Sequence, residues 1–242
     1  MQYLIDAEKK DHYLKSVNNS DINIKAREGC LYKLSKSTRI KPKVKGLNII
    51  WMNSSADSGL PHTRYPNIVC LPDNISNKDL YDIILHESVH ISQRLYPKKW
   101  NEIFKLWNMK PFYGTIPNEL NNIIRINPDT IYEPFYIWKD KWVVMGVFNS
   151  IIHPNMRNIK NVWWNCINGK ILYTAPKKWI DFFGNVSGEH PYEISAYYIS
   201  SKRTYGLSPV EHGLSPVEHG GRRPSSIKKY NNKAYKILFN FL

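Results

Sequence analysis

The sequence predicts an α+β fold, in which one domain combines a small mixed sheet, several helices and a hairpin-rich insertion. Three observations predict it: two short apolar strands early in the chain, one strongly periodic helix after them, and two β-hairpins within 131–174. The chain has 242 residues, of which 42% are hydrophobic and 13% aromatic, enough for one packed core. We therefore expect a single domain over 1–205, followed by a flexible tail over 206–242.

The first elements alternate between helix and strand. The stretch "SDINIKAREGCLYKLSK", 20–36, has helical spacing behind a Ser N-cap and predicts a helix. The apolar run "GLNIIWMN", 46–53, predicts a buried strand, and "SSADSGLP" after it has the composition of a loop. A second short strand is predicted over Ile68–Leu71. These two strands would begin the small sheet.

The best-defined element is the helix between Ser76 and Pro97. Ser76 and Asp79 have the spacing of a capping box, and Pro97 would end the helix. An apolar face at helical spacing comes from Leu80, Ile83, Ile84 and Val89. A second helix is predicted at "KKWNEIFKLWN", and a short one around "IPNELNNIIRI".

The region 131–174 predicts two hairpins. "EPFYIWKDKWVVMGVF" would turn at Lys139-Asp140, and "VWWNCINGKILYT" at Asn168-Gly169, whose residues tolerate positive φ. The Trp and Tyr residues of these hairpins would either line a cleft or form core. "HPYEISAYYISSK" then predicts a helix with Pro191 in its first turn.

The end of the chain contains a duplication. "GLSPVEH" occurs at 206–212 and again, unchanged, at 213–219. Each copy pairs a Glu with a His, but its Pro and Gly favour a mobile loop over a metal site, which needs converging ligands. The final apolar stretch "YKILFNFL" would either dock on the domain or be disordered.

Charge and composition exclude some classes of function. The formal charge is +14, but the lysines are scattered without a basic stripe or a reader motif, so nucleic acid is a possible but disfavoured partner. No apolar run is long enough to span a membrane, and the N-terminal residues lack the apolar core of a signal peptide. Cys30, Cys70 and Cys166 are odd in number and far apart, which predicts free thiols in a reducing compartment. We therefore expect a cytoplasmic or otherwise intracellular location; the oligomeric state is open.

The motif "HESVH", 86–90, predicts a zinc site. His86 and His90 lie four residues apart, so one helix face presents both imidazoles, and neutral imidazole is a preferred ligand of Zn²⁺. Glu87 lies one step round the helix, where it can accept a proton from a metal-bound water as general base. Zn²⁺ is thus the expected cofactor, with Glu87 as the catalytic residue.

This stretch resembles the active-site helix of the zincin metallopeptidases. "LPHTRYPNIVCLP" upstream is similar to the short strand that precedes the helix in several such families. The resemblance covers 46–97 and 185–202 and implies that the strand at 67–71 is a sheet edge that aligns an extended peptide substrate. Residues 98–184 resemble only in general terms uncharacterised metallopeptidase-like proteins of viral or bacterial type. The chain departs from the pattern at Ser92, where the family usually has a hydrophobic residue.

A catalytic zinc normally needs a third protein ligand. The metzincin class requires a Gly and a later His, and "ISQRLYP" after His90 has neither. Gluzincins take a Glu from a later helix, and "HPYEISAYY" resembles their (N/H)P-x-E-x-x-A pattern, which implies Glu193 as the ligand. Glu119 is the main alternative, and Glu133, Glu189 or an aspartate remain open.

The resemblance implies zinc-dependent hydrolysis of a peptide bond in a peptide or protein substrate. Such an enzyme also needs a donor to stabilise the oxyanion, and the candidates are His190, Tyr192, Tyr197, Tyr198 and Tyr205. One alternative is a DNA-associated protease of the SprT-like type, which takes a third His. Another is a non-catalytic, zinc-stabilised binding protein, against which Glu87 argues.

Overall fold

A computed structural model gives an α+β architecture and describes residues 2–18, 21–26, 34–36, 46–186, 188–200 and 232–242. The described helices are α1 (Gln2–Asp11), α2 (Tyr13–Asn18), α3 (Asp21–Ala26), α4 (Asn77–Leu95), α5 (Pro97–Leu106), α6 (Asn118–Asn121), α7 (Lys177–Phe183), α8 (Pro191–Ser200) and α9 (Lys233–Phe241). The described strands are β1 (Asn48–Met52), β2 (His62–Arg64), β3 (Ile68–Pro72), β4 (Met109–Phe112), β5 (Phe135–Trp138), β6 (Trp142–Phe148), β7 (Ile159–Asn165) and β8 (Ile171–Leu172).

The first sheet has three strands in the order β1-β3-β2, with β1 parallel and β2 antiparallel to β3. It confirms the small mixed sheet and both predicted strands. Side chains alternate across β3, as the pleat requires. Ile68 and Cys70 pack with α1 and α2, whereas Val69 and Leu71 pack with α4. The sheet is therefore covered on both faces, and α4 lies on one of them.

The prediction that 67–71 is an edge strand is wrong. β3 lies between β1 and β2, so both of its sides are already paired. The edge strands are β1 and the three-residue β2. In β2, which packs against α4, the middle residue Thr63 bonds away from β3. The Thr63 N–H donates to Asp129 Oδ1 at 2.8 Å, and its carbonyl accepts from Arg94 Nη2 at 3.3 Å. The edge is thus capped at Thr63 by side chains of this chain.

The second sheet is antiparallel, with five strands in the order β4-β5-β6-β7-β8. It confirms both hairpins: Lys139 and Asp140 have φ of 51° and 54°, and Gly169 has φ of 74°. The sheet begins at β4, ahead of the predicted insertion at 131. The hairpin tryptophans Trp138, Trp163 and Trp164 are buried in the core.

Two predictions about helices need correction. The predicted helix over 20–36 is observed only as α3, and 27–33 lies outside the described residues. Leu34 is not helical, because it forms an antiparallel bridge with Met52 beside β1. α4 begins after Ser76 and ends before Pro97 as predicted, but the Ser76 hydroxyl bonds to the Asp79 carboxylate and caps no backbone N–H.

The apolar end of the chain docks on the domain. Ala234 and Leu238 of α9 are fully buried, and the indole of Trp107 donates to the Ala234 carbonyl at 3.0 Å. Residues 232–242 are therefore part of the packed structure and not of a flexible tail. Both "GLSPVEH" copies, Cys30 and Tyr205 lie outside the described residues. None of the described helices is long and apolar enough to cross a bilayer.

Candidate metal centre

Two helices that pack against each other, α4 and α8, bring His86, His90 and Glu193 together. The two histidine Nε2 atoms are 3.1 Å apart. Glu193 Oε2 lies 3.3 Å from His86 Nε2, and Glu193 Oε1 lies 3.6 Å from His90 Nε2. One ligand atom from each of the three side chains lies within 4.8 Å of the other two, so the three form a compact triangle.

The size of this triangle matches a tetrahedral zinc site. Zinc binds imidazole nitrogen and carboxylate oxygen at about 2.0–2.2 Å, so neighbouring ligands in a tetrahedron are about 3.3–3.5 Å apart. The observed contacts of 3.1, 3.3 and 3.6 Å, of which the last two are made by different oxygens of Glu193, bracket that value. Both histidines and the carboxylate are also ligand types that zinc prefers. The residues present fit the ion in chemistry and in spacing.

Burial differs between the ligands. The side chain of His90 is fully buried, whereas 14% of the His86 side chain is exposed. Glu193 is buried in the first turn of α8. Access to the triangle from solvent therefore lies on the side of His86.

Glu193 is held as a charged carboxylate. Burial alone would raise the pKa of Glu193, but the nearby His90 and His86 bring the pKa well below its usual range. Arg125 acts in the same direction. The buried amide of Asn127 also donates to Glu193 Oε1 at 2.8 Å, which favours the ionised form. The carboxylate is thus available as a ligand without first losing a proton.

Glu87 lies beside the triangle with a free oxygen. The residue is only 4% exposed, and its Oε2 has no hydrogen-bond partner among the described residues. Burial raises the pKa of Glu87 well above its ordinary value, and the charges of Asp129 and Glu193 add to the effect. Buried carboxylate oxygens are normally bonded, so this one is open to a partner that enters the site.

Asp129 is a buried carboxylate that the sequence did not single out. Its oxygen atom can group with Glu87 and His90, but that grouping shares His90 with the triangle and is no separate site. Asp129 Oδ1 accepts from both the N–H and the hydroxyl of Thr63, and lies 3.6 Å from Arg94 Nη2. These partners hold Asp129 against the β2 edge.

The other glutamates weighed as ligands lie elsewhere. Glu119 is exposed on α6, and Glu133 bonds to Tyr192. Glu189 accepts from Arg125 Nη1 at 2.9 Å. Among the described residues none of the three belongs to a group of potential metal ligands. The geometry thus brings Glu193, and none of the other three glutamates, to the two histidines, whereas Asp129 groups with His90 alone of the two.

The candidate oxyanion donors differ in how close they lie to the candidate metal ligands. The ring of Tyr197 packs edge-on against His86, with 4.7 Å between ring centroids. Tyr198 donates to the Phe183 carbonyl in the core. His190 lies 3.2 Å from the Pro134 carbonyl through Nε2 and accepts the Tyr192 N–H through Nδ1, and burial lowers its pKa to about 4. Of the described candidates, Tyr197 is the one whose ring contacts a ligand side chain.

Three supporting residues were missed: Gln93, Asn127 and Asp129. Gln93 contacts His90 Nδ1 at 3.0 Å, and its position three residues after His90 on the same helix face could have indicated this contact. Asn127 and Asp129 reach the site across more than thirty residues of sequence, and no local pattern marks them.

The chain matches no family model, no curated protein and no solved structure. The resemblance to the zincins therefore rests on the sequence of 46–97 and 185–202 alone.

Proposed function

We propose that this chain is a zinc-dependent metallopeptidase of the gluzincin-like type. The observation that supports it best is the triangle of His86, His90 and Glu193, with its separations of 3.1 to 3.6 Å. A buried carboxylate with an unpaired oxygen, Glu87, lies beside that triangle. A purely structural zinc site is normally closed by four protein ligands and has no need of a base.

Each residue has one role in the proposed reaction. His86, His90 and Glu193 would hold the metal, which leaves a fourth position open. Zinc held by these three residues would act as a Lewis acid that lowers the pKa of a water molecule at the open position and polarises the scissile carbonyl. Glu87 would take the proton of that water and deliver it to the leaving amine, so the residue ends the cycle as it began. Its raised pKa suits a group that must hold a proton for part of the cycle.

The proposed substrate is a peptide or protein that enters from the side of His86. That ligand is the partly exposed one, and Tyr197 lies next to it. Alignment along the strand at 67–71 is not part of the proposal, because β3 is central and Thr63 of β2 is already bonded. Tyr197 is the proposed donor to the oxyanion.

The proposed setting is a reducing, intracellular compartment. Two of the cysteines, Cys70 and Cys166, are free thiols, and burial raises the pKa of Cys70 to about 12. A thiol with such a pKa is unreactive at neutral pH.

The test measures zinc content and peptide hydrolysis for the wild type, Glu87→Gln, Glu193→Gln and Glu119→Gln. We expect one zinc per chain in the wild type. Glu87→Gln should keep the metal and lose about 10²- to 10⁴-fold in hydrolysis, since a general base contributes that much. Glu193→Gln should weaken metal binding, and the exposed Glu119→Gln serves as the matched control without effect.

Four outcomes would count against the proposal. Full zinc affinity in Glu193→Gln would remove the third ligand, and full hydrolysis in Glu87→Gln would remove the base. A wild type that binds zinc tightly without hydrolysing any peptide would favour the non-catalytic alternative. A steep salt dependence of binding to DNA would favour the DNA-associated alternative.

A further inference from the structure

Gln93 is a buried amide between the two ligand-bearing helices. It lies on α4 three residues after His90 and is completely buried. A primary amide offers two donors and one acceptor oxygen, and inside a protein these groups need partners. The partners of Gln93 lie on both helices, His90 on α4 and Tyr192 and Ser195 on α8.

The orientation of the Gln93 amide follows from its partners on α8. Gln93 Nε2 lies 3.1 Å from the Tyr192 carbonyl and 2.8 Å from Ser195 Oγ. A carbonyl can only accept, so the nitrogen of the amide must face it. Ser195 donates its own proton to backbone carbonyls of α8, at 2.8 Å from Pro191 O, and therefore accepts from Gln93.

The tautomer of His90 follows in turn. With the nitrogen fixed on α8, Gln93 Oε1 faces His90 Nδ1 at 3.0 Å. An amide oxygen can only accept, so Nδ1 carries the proton. In a neutral imidazole the other nitrogen, Nε2, is then a bare lone pair. Nε2 is the atom that faces His86 and Glu193, so its lone pair points to the site.

Gln93 also helps to fix the distance between the histidines on α4 and Glu193 on α8. Tyr192 and Ser195 flank Glu193 along α8, so two hydrogen bonds join the segment that carries Glu193 to the helix that carries the histidines. An apolar side chain would supply neither bond. A Glu side chain, whether ionised or protonated, would still offer an oxygen to His90.

We propose that Gln93 is the positioning residue of the metal centre: it fixes His90 in the Nδ1–H tautomer, with Nε2 unprotonated towards Glu193, and ties α4 to α8. This role deepens the proposed function, since His90 is a ligand in that proposal. The hydrogen bond on the far nitrogen of a ligand histidine sets its tautomer and orientation, and losing it typically costs 10- to 100-fold in metal affinity.

The test begins with the metal-free protein, so that it does not depend on any hydrolytic activity. Two-bond ¹H–¹⁵N correlation spectra of histidine-labelled protein report the tautomer of each ring, and His90→Asn assigns the His90 signals. We expect the Nδ1–H form in the wild type and its loss in Gln93→Met, which nearly conserves volume. Zinc affinity, measured by competition with a chelator, should fall 10- to 100-fold in Gln93→Met.

Two further variants keep the test decisive. Ser92→Ala removes a hydrogen bond of the same helix, from Trp100 Nε1 at 3.2 Å, and should change neither the tautomer nor the zinc affinity. If Gln93→Met does not fold, Gln93→Glu decides, because the proposal requires His90 to keep its Nδ1–H form there. A neutral Nε2–H tautomer of His90, with Nδ1 unprotonated, in the wild type or in Gln93→Glu overturns the proposal. An unchanged tautomer or a zinc affinity within twofold of wild type in folded Gln93→Met does so too.

Discussion

Two buried clusters of ionisable side chains lie on opposite faces of β2. They differ in how their negative charges are compensated. The Arg64 cluster contains Arg64, Glu8, Asp11 and Tyr13. The guanidinium of Arg64 bonds to the Glu8 carboxylate and to Asp11 Oδ1 at 2.8 Å, and it lies 4.2 Å from the centre of the Tyr13 ring. The metal-site cluster contains His86, Glu87, His90 and Glu193 and brings lone pairs of three ligands within 3.6 Å of one another.

The difference lies in where the positive charge comes from. The Arg64 cluster supplies its own cation, so its carboxylates are compensated within the protein. Two arginines act on the metal-site cluster only through their charge and bond to other side chains: Arg94 to Thr63 and Asp129, and Arg125 to Glu189. Buried charges need compensation, so the first cluster fits a structural role, whereas the second fits a site that receives a cation.

The largest expected effect comes from breaking the Arg64 cluster. Arg64→Leu leaves Glu8 and Asp11 without their cation, and removing one partner of a buried ion pair costs about 3–5 kcal/mol. We expect a loss of that size in the free energy of unfolding, measured by urea denaturation, while the zinc content stays at one per chain. Lys177→Ala, which breaks the exposed pair with Asp181, is the control and should cost about 0.5 kcal/mol or less. A loss of zinc from the folded Arg64 variant would show that the clusters are not independent.

Zinc itself should produce the opposite effect on the other cluster. Free zinc at about 1,000 times its dissociation constant should raise the free energy of unfolding by about 4 kcal/mol, because the ion binds the folded chain. Arg64→Leu should keep that increment, and Glu193→Gln should lose most of it. Urea denaturation with zinc or with a chelator gives both values. An increment of the same size in Glu193→Gln would mean that zinc acts at another site.

The grouping of His86, His90 and Glu193 could be predicted from the sequence because its pattern is local. His86 and His90 share a helix face by their spacing alone, and Glu193 follows a Pro that opens a helix. The remaining parts of the site depend on contacts between distant segments. Asn127 supports Glu193 from a segment with no regular periodicity, so nothing in its neighbourhood marks it.

The sheet edge was mispredicted for a related physical reason. Ile68–Leu71 is apolar and reads as a strand, but an apolar run does not tell which strands lie beside it. One of the two edge strands, β2, is the three-residue "HTR", which is too short and too polar to give a strand signal. Its pairing is fixed by Arg64 and Thr63, whose partners Glu8, Asp11 and Asp129 are far away in sequence.

His190 is a buried histidine that, like the Arg64 cluster, finds its partners within the protein. Both of its ring nitrogens have partners, and burial lowers its pKa to about 4 from an ordinary value of about 6.5. The unfolded chain therefore binds the proton first as the pH falls. Stability from His190 is fully present above about pH 6.5 and is lost between 6.5 and 4, by about 3 kcal/mol in total.

The measurement compares the wild type with His190→Gln, both free of metal, over that pH range. The difference between their free energies of unfolding should shrink as the pH falls, because Gln does not titrate and the other groups cancel. A difference that stays constant from pH 7 to pH 4 would contradict the role of His190 as a neutral, structural side chain.

The smallest expected effect concerns Thr63, the residue of β2 that stands between the two clusters. Thr63→Val keeps the backbone N–H and carbonyl that bond to Asp129 and Arg94, but it removes the hydroxyl that bonds to both. A lost hydrogen bond of this kind costs about 1 kcal/mol, measured by urea denaturation. Zinc affinity should stay within twofold of wild type, because Gln93 and Asn127, and not Thr63, support the ligands. A tenfold weaker affinity would show that the Thr63 hydroxyl supports the metal ligands through Asp129, and the two clusters would then be one connected network.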